Sequence, residues 1–249
     1  MMYLNIDTDP QCVPYLSDAY IDTFCNDLIK RFEPSAITQL HPVNIEQFTK
    51  RFMGLRLRYE YLSCDGSILG AALFSDTDSF PIFNAKKRQA EYTSAAKGTV
   101  FIDKSLTCAS KNNRYRFTLA HEAGHMLWHA MYFAAKQKSM SRTKNYLTCT
   151  NEKITTLSDA HDRTNLSSAQ LIEYQANRTA SALLMPKEAV FKLISSMGNC
   201  TTRDDAIDRV IFTASLFRVS DAAARIRLTE LGLIDPELLW TGRRSRRPA

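Results

Sequence analysis

Residues 116–129, RFTLAHEAGHMLWH, place two histidines and a glutamate inside a run that is otherwise apolar and helix-forming. Phe117, Leu119 and Ala120 stand before the polar group and Met126 and Leu127 after it, a pattern that predicts a largely buried helix. Polar side chains buried on such a helix need partners, so the rest of the chain must be arranged to supply them. His121 and His125 are four residues apart, about 40° around the helix axis and one turn along it. Two imidazoles so placed can share one ion at about 2.0–2.1 Å from each nitrogen, the distance zinc favours. Glu122 projects beside the pair, where it can take a proton from a water whose pKa zinc lowers to about 7. An ordinary amphipathic helix with solvated histidines fits these apolar flanks poorly. Gly124 sits mid-helix at a cost of about 1 kcal/mol relative to Ala, which makes sense if another element passes close by.

A catalytic zinc needs a third protein donor and an open fourth position. The candidates downstream are His129, Glu152, Asp159, His161, Asp162 and Glu173. His129 extends the series, but about 12 Å of helical rise separates it from His121; it is expected to interact with the carbonyl end of its own helix. His161 falls in a polar stretch and is a candidate substrate contact. Glu173 is preferred. Its segment, SSAQLIEYQANRTASALLMP, opens with a capping box, Ser167 and Gln170, and stops at Pro186. Ala176, Ala180 and Ala182 permit close approach of a second helix, such as the one bearing Gly124. Asn177 shares the face of Glu173 and can offer an oxygen to the second N–H of a metal-binding imidazole. Tyr174, His161 and Tyr132 are candidate oxyanion contacts, with no choice among them.

The chain of 249 residues, 45% hydrophobic, is large enough to build a core unaided, so a metal here is expected to serve function rather than folding. The net charge of +6 suggests nucleic acid at first sight, but Arg243, Arg244, Arg246 and Arg247 of the terminal GRRSRRPA segment carry most of it. No apolar run approaches the roughly 18 residues of a membrane span. The start, MMYLNIDTDPQC, lacks the basic and apolar regions of a secretory signal. The six cysteines (Cys12, Cys25, Cys64, Cys108, Cys149 and Cys200) form no CxxC pair and are expected to be reduced thiols. A cytoplasmic location is therefore expected.

Helical spacing appears at about 15–31 and 44–52, with Gly54 placed to end the second helix in the left-handed region. LRLRYEYL alternates as a half-buried strand; after an Asp65-Gly66 turn come the strands ILGAALF and TVFID. Residues 75–97 and 136–165 read as long loops. Helices are predicted over 114–134, 168–184, 187–197, 203–217 and 221–231, the last capped by Ser220. The fold class is α+β, mostly helical with a small antiparallel sheet and a C-terminal helical extension. The expected division is 1–198 as the main domain, 199–240 as the extension, helix-turn-helix-like in outline, and 241–249 as a basic tail. Arg225 and Arg227 lend the extension a DNA-reading appearance, but Val210, Ile211, Leu216, Ile226, Leu228 and Leu231 are needed for packing.

RFTLAHEAGHMLWH and, after a variable loop, IEYQANRTASALLMP together resemble the ImmA/IrrE family of metallo-endopeptidases. The upstream order is similar too: an N-terminal helix, the PVNIEQFTKRF helix, the LRLRYEYL strand, and the VFIDKSL strand just before the active-site helix. The resemblance spans about residues 15–235. It implies a zincin-like domain with His121, His125 and Glu173 as Zn2+ ligands and Glu122 as base and proton shuttle. It further implies a cytoplasmic endopeptidase of bacteria, often encoded beside mobile-element repressors, whose partner is a helix-turn-helix repressor that it cleaves or inactivates. A membrane partner is not expected, and a nucleic-acid partner less so than a protein. The alternative is a zinc-containing regulatory protein that binds a repressor or DNA without cutting.

Overall fold

A computed structural model describes residues 6–139, 146–150 and 166–239. Helix α1 (Asp18–Phe32), capped by Ser17, leads through the short α2 (Pro34–Thr38) to α3 (Ile45–Gln47). A π-helical turn, Phe48–Phe52, prolongs α3, and Gly54 follows it at φ +70°, as its position in the sequence predicts. Strands β1 (Arg56–Glu60), β2 (Ile68–Leu73), β3 (Thr77–Asn84), β4 (Gln89–Ala95) and β5 (Thr99–Asp103) come next. Then follow α4 (Asn112–Trp128), α5 (Ala130–Ser139), β6 (Tyr146–Thr150), α6 (Ser168–Leu184), α7 (Lys187–Ser195), α8 (Arg203–Phe217) and α9 (Asp221–Glu230). The fold is α+β, and no helix among the described residues is long and apolar enough to cross a membrane.

The sheet departs from the all-antiparallel expectation. Its order is β1-β5-β2-β6, with β1 parallel to β5 and the other pairs antiparallel. The Asp65-Gly66 turn therefore does not close a hairpin: β5, arriving later in the chain, inserts between β1 and β2. Every residue of β5 is buried, and β2 is buried from Leu69 to Leu73. Both faces of these strands are covered, which is why ILGAALF is continuously apolar rather than alternating. On one face Ala72, Val100 and Ile102 join the main helical core; on the other Ala71, Leu73 and Phe101 meet Phe80.

That second face corrects the reading of 75–97 as loop. Strands β3 and β4 form a hairpin over it, anchored by Phe80, whose ring stacks on Phe101 at 4.1 Å between centroids. Its strands are polar and half-exposed, and Pro81 lies within β3, so neither composition nor propensity announces them. Strand β6 likewise falls in the stretch assigned to loop. The helix expected over 114–134 breaks at His129, whose backbone N–H still bonds to the carbonyl of His125 while its φ/ψ of −106°/9° leave the helical region. Residues 151–165, with Glu152, Asp159, His161 and Asp162, and the basic tail lie outside the described residues. Cys12, Cys25, Cys64, Cys108 and Cys200 are free thiols.

Capping chemistry sets the α6 and α9 starts as expected: Ser167 and Gln170 close a reciprocal box, and the Ser220 side chain accepts from the Ala223 N–H. Arg227 of α9, one of the two arginines that made the extension resemble a DNA reader, is turned inward. It is fully buried, donates to Asp22 Oδ1 of α1 at 2.6 Å and reaches the Met185 carbonyl with two further N–H groups. Arg178 of α6 binds the other oxygen of Asp22 at 2.6 Å and also pairs with Glu230. Burial, and then the like charge of Arg178, push the Arg227 guanidinium down to about 10, leaving it charged near neutrality. Arg227→Leu strands Asp22 with one partner and the Met185 carbonyl with none from this side chain. A loss of about 3–5 kcal/mol is expected in urea denaturation; a loss below 1 kcal/mol would show that this cluster does not pin α9.

Candidate metal centre

Helix α4 packs against α6 on one flank and against β2 and β5 on another, so it is buried over most of its circumference. The approach to α6 is tight at Gly124. A Cβ there would lie 3.2 Å from the Ala176 Cα and 3.1 Å from the Thr179 Cβ, so the mid-helix glycine and the alanines of α6 serve the contact expected of them. Trp128 Nε1 donates to Thr179 Oγ1 at 2.8 Å across the same seam. Two helices held this tightly bring one short stretch of α6 over the histidine face of α4.

Three side chains meet there. His121 Nε2 and His125 Nε2 are 2.9 Å apart, and Glu173 Oε2 lies 3.4 Å from the first and 3.8 Å from the second. Their exposures are 0%, 1% and 4%, so the donors converge in a place with little water to satisfy them. Among the described residues these are the group of histidine and acidic side chains whose ligand atoms all lie within 4.8 Å of one another.

The Nδ1 partners decide what the Nε2 atoms offer. His121 Nδ1 is 2.8 Å from Asn177 Oδ1, an acceptor, so this nitrogen carries the proton and Nε2 carries the lone pair. Asn177 is thereby bonded to His121 across the seam between α4 and α6. His125 Nδ1 points instead to His129 Nδ1, 2.9 Å away. Neutral imidazoles with Nε2 unprotonated, facing one another and a carboxylate oxygen out of water, repel unless a cation lies between them. The donor set, two imidazoles and one carboxylate, is one that divalent zinc accepts. The residues present fit such an ion.

Glu122 is fully buried one residue along α4 from His121, beneath Gly70 of β2. The approach is so close that a Cβ on Gly70 would stand 2.7 Å from Glu122 Oε1 and 2.8 Å from Thr118 Cγ2. Gly70 was missed at the sequence level; a glycine interrupting an apolar strand is the signal that a backbone must come near something.

The remaining sequence candidates are placed elsewhere. The Tyr174 hydroxyl donates to both carboxyl oxygens of Asp18, each at 3.0 Å. Tyr132 is buried edge-on to Phe133 with Lys136 Nζ 4.5 Å from its ring centroid. His161 lies outside the described residues. His129 does not meet the carbonyl end of its helix through its ring, as expected from sequence; the ring lies behind His125 and is bonded through Nε2 to Gln175 Oε1 at 2.9 Å. Burial, then the neighbouring His125, hold the His129 ring well below the usual imidazole range. Gln175 is two residues from both Glu173 and Asn177, a spacing that puts it on another face, and no periodicity points to it.

The α+β fold thus buries a histidine pair and a carboxylate between two helices, a group that could hold a metal ion. The family model of the IrrE N-terminal-like domain, Peptidase_M78, matches residues 146–229. That match supports assignment of the chain to the ImmA/IrrE family, a family of metallopeptidases. The matched residues contain Glu173 and Asn177 on α6; His121, Glu122 and His125 lie before them. Comparison with curated proteins returned no match.

Proposed function

We propose that this protein is a cytoplasmic zinc-dependent endopeptidase, with His121, His125 and Glu173 as metal ligands, and that its substrate is a helix-turn-helix transcriptional repressor. The observation that carries the catalytic part is the convergence of two Nε2 atoms and Glu173 Oε2 with Glu122 alongside on the same helix. The repressor follows from the family resemblance and from a peptidase needing a protein substrate. A zinc ion bound there would supply Lewis acidity, polarising the scissile carbonyl and acidifying a water.

The chain's own residues do the rest. Glu122 accepts the proton of the attacking water on its carboxylate and delivers it to the leaving amine nitrogen. Asn177 keeps the His121 ring turned with Nε2 toward the site. Gly70 leaves room for the Glu122 carboxyl and limits where it can swing. Gly70→Ala is therefore expected to displace that carboxyl, with activity falling on the order of 10²-fold and stability by about 1–3 kcal/mol. Zinc content should stay at one per chain. Unchanged peptidase activity in that variant would mean that the pocket under β2 is not the place of the base.

The substrate assignment is tested by incubating the zinc-loaded protein with helix-turn-helix repressors and weighing the products by mass spectrometry. Fragments that disappear when the metal is chelated are expected. A repressor bound stoichiometrically and left intact would instead favour a regulator that acts by binding alone.

A further inference from the structure

From the hydrogen bonds behind the metal site we infer that His129 and Gln175 are positioning residues that set the tautomer of His125, through a relay anchored on the Pro14 backbone carbonyl. This rests on the reading of His125 as a metal ligand and adds to it a buried chain of three side chains that no sequence motif announces.

Bond directions in the chain follow from its far end. The Pro14 carbonyl can only accept, and it lies 2.7 Å from Gln175 Nε2, so the amide nitrogen of Gln175 must face it. Gln175 Oε1 is thereby turned to His129 Nε2 at 2.9 Å and must accept from it. With its proton on Nε2 toward Gln175, the His129 ring offers Nδ1 as an acceptor, 2.9 Å from His125 Nδ1. His125 then donates from Nδ1 and turns the Nε2 lone pair toward His121 and Glu173. The links from the Pro14 carbonyl to His129 have one possible direction, and a His129 ring protonated at Nε2 alone fixes the last. His129 and Gln175 are 0% and 1% exposed, so water does not compete for these bonds. The two ligand histidines are thus oriented by different means: His121 by one amide oxygen, His125 by a relay that crosses from α4 to α6 to the segment before α1.

The break of α4 at His129 belongs to the same arrangement. A continuous helix would keep residue 129 one turn above His125; the non-helical backbone there accompanies a ring set behind that of His125, centroids 5.0 Å apart.

The test is zinc affinity by chelator competition, together with the visible spectrum of the cobalt-substituted protein, on His129→Leu, Gln175→Leu and His129→Gln. Loss of the acceptor in His129→Leu is expected to weaken zinc binding about 10- to 100-fold and to change the cobalt spectrum. Gln175→Leu should do the same more mildly, since His129 is then able to move its proton to Nδ1. Glutamine at 129 can accept from His125 and donate to Gln175, so His129→Gln should bind zinc within about threefold of the parent, given that the bond pattern is preserved. A merely space-filling residue would favour leucine over glutamine. Wild-type affinity and spectrum in a folded His129→Leu protein would overturn the relay. Should that variant not fold, nitrogen-15 spectra of the histidine rings in the zinc-loaded wild type decide: protons on His125 Nδ1 and His129 Nε2 are required, and a proton on His129 Nδ1 overturns it. Failure of the metal reading itself looks different, since the wild type would then bind zinc no better than His121→Ala.

Discussion

Glu122→Gln is expected to retain one zinc per chain and to lose proteolysis by about 10²–10⁴-fold, the range that a positioned proton-transfer group contributes. The amide has nearly the shape of the carboxylate, so the fit beneath Gly70 is preserved and the loss reads chemistry rather than packing. It cannot take a proton from water, and the leaving amine receives none from it. Kinetics on a cleavable repressor or peptide, with elemental analysis of the same sample, measures both halves. Normal turnover in the glutamine variant would remove Glu122 from the mechanism; loss of zinc along with turnover would mean that its carboxylate belongs to the metal site.

Glu173→Ala carries the second large effect, on the metal itself. Removing a group that merely supports a ligand already costs about 10- to 100-fold in metal affinity, so loss of a proposed ligand should cost at least about 10²-fold. Without the carboxylate, His121 and His125 remain as two neutral donors and no negative charge balances the ion. The fold should survive, because the core around Ile21, Phe48, Leu119 and Leu183 is large and needs no metal. The expected result is an unchanged far-ultraviolet circular dichroism spectrum with sub-stoichiometric zinc. One zinc per chain at parental affinity would show that another residue completes the site.

Parts of the architecture that depend on near neighbours are legible in the amino-acid sequence alone. The capping box at Ser167 and Gln170, the cap at Ser220 and the left-handed Gly54 are all settled within a few residues, so composition and spacing reveal them. The Gly124 contact was legible for a related reason: a glycine disfavoured in a helix and a run of alanines on another are complementary surfaces, and each is visible alone. The hairpin β3–β4 was not, because its strands are polar and one phenylalanine, Phe80, does most of the anchoring. The parallel pairing of β1 with β5 was hidden because neither strand encodes its neighbour.

Within the site the same division holds. Spacing of four along one helix determined by itself that His121 and His125 share a face with Glu122 beside them, because helical geometry is local. That Glu173 comes within 3.4 Å of His121, that Asn177 takes its second nitrogen, and that Gln175 meets His129 were decided by the packing of α4 on α6. Such convergence joins residues about fifty positions apart and is fixed by which faces bury together, a choice made by the whole core and not by any one segment.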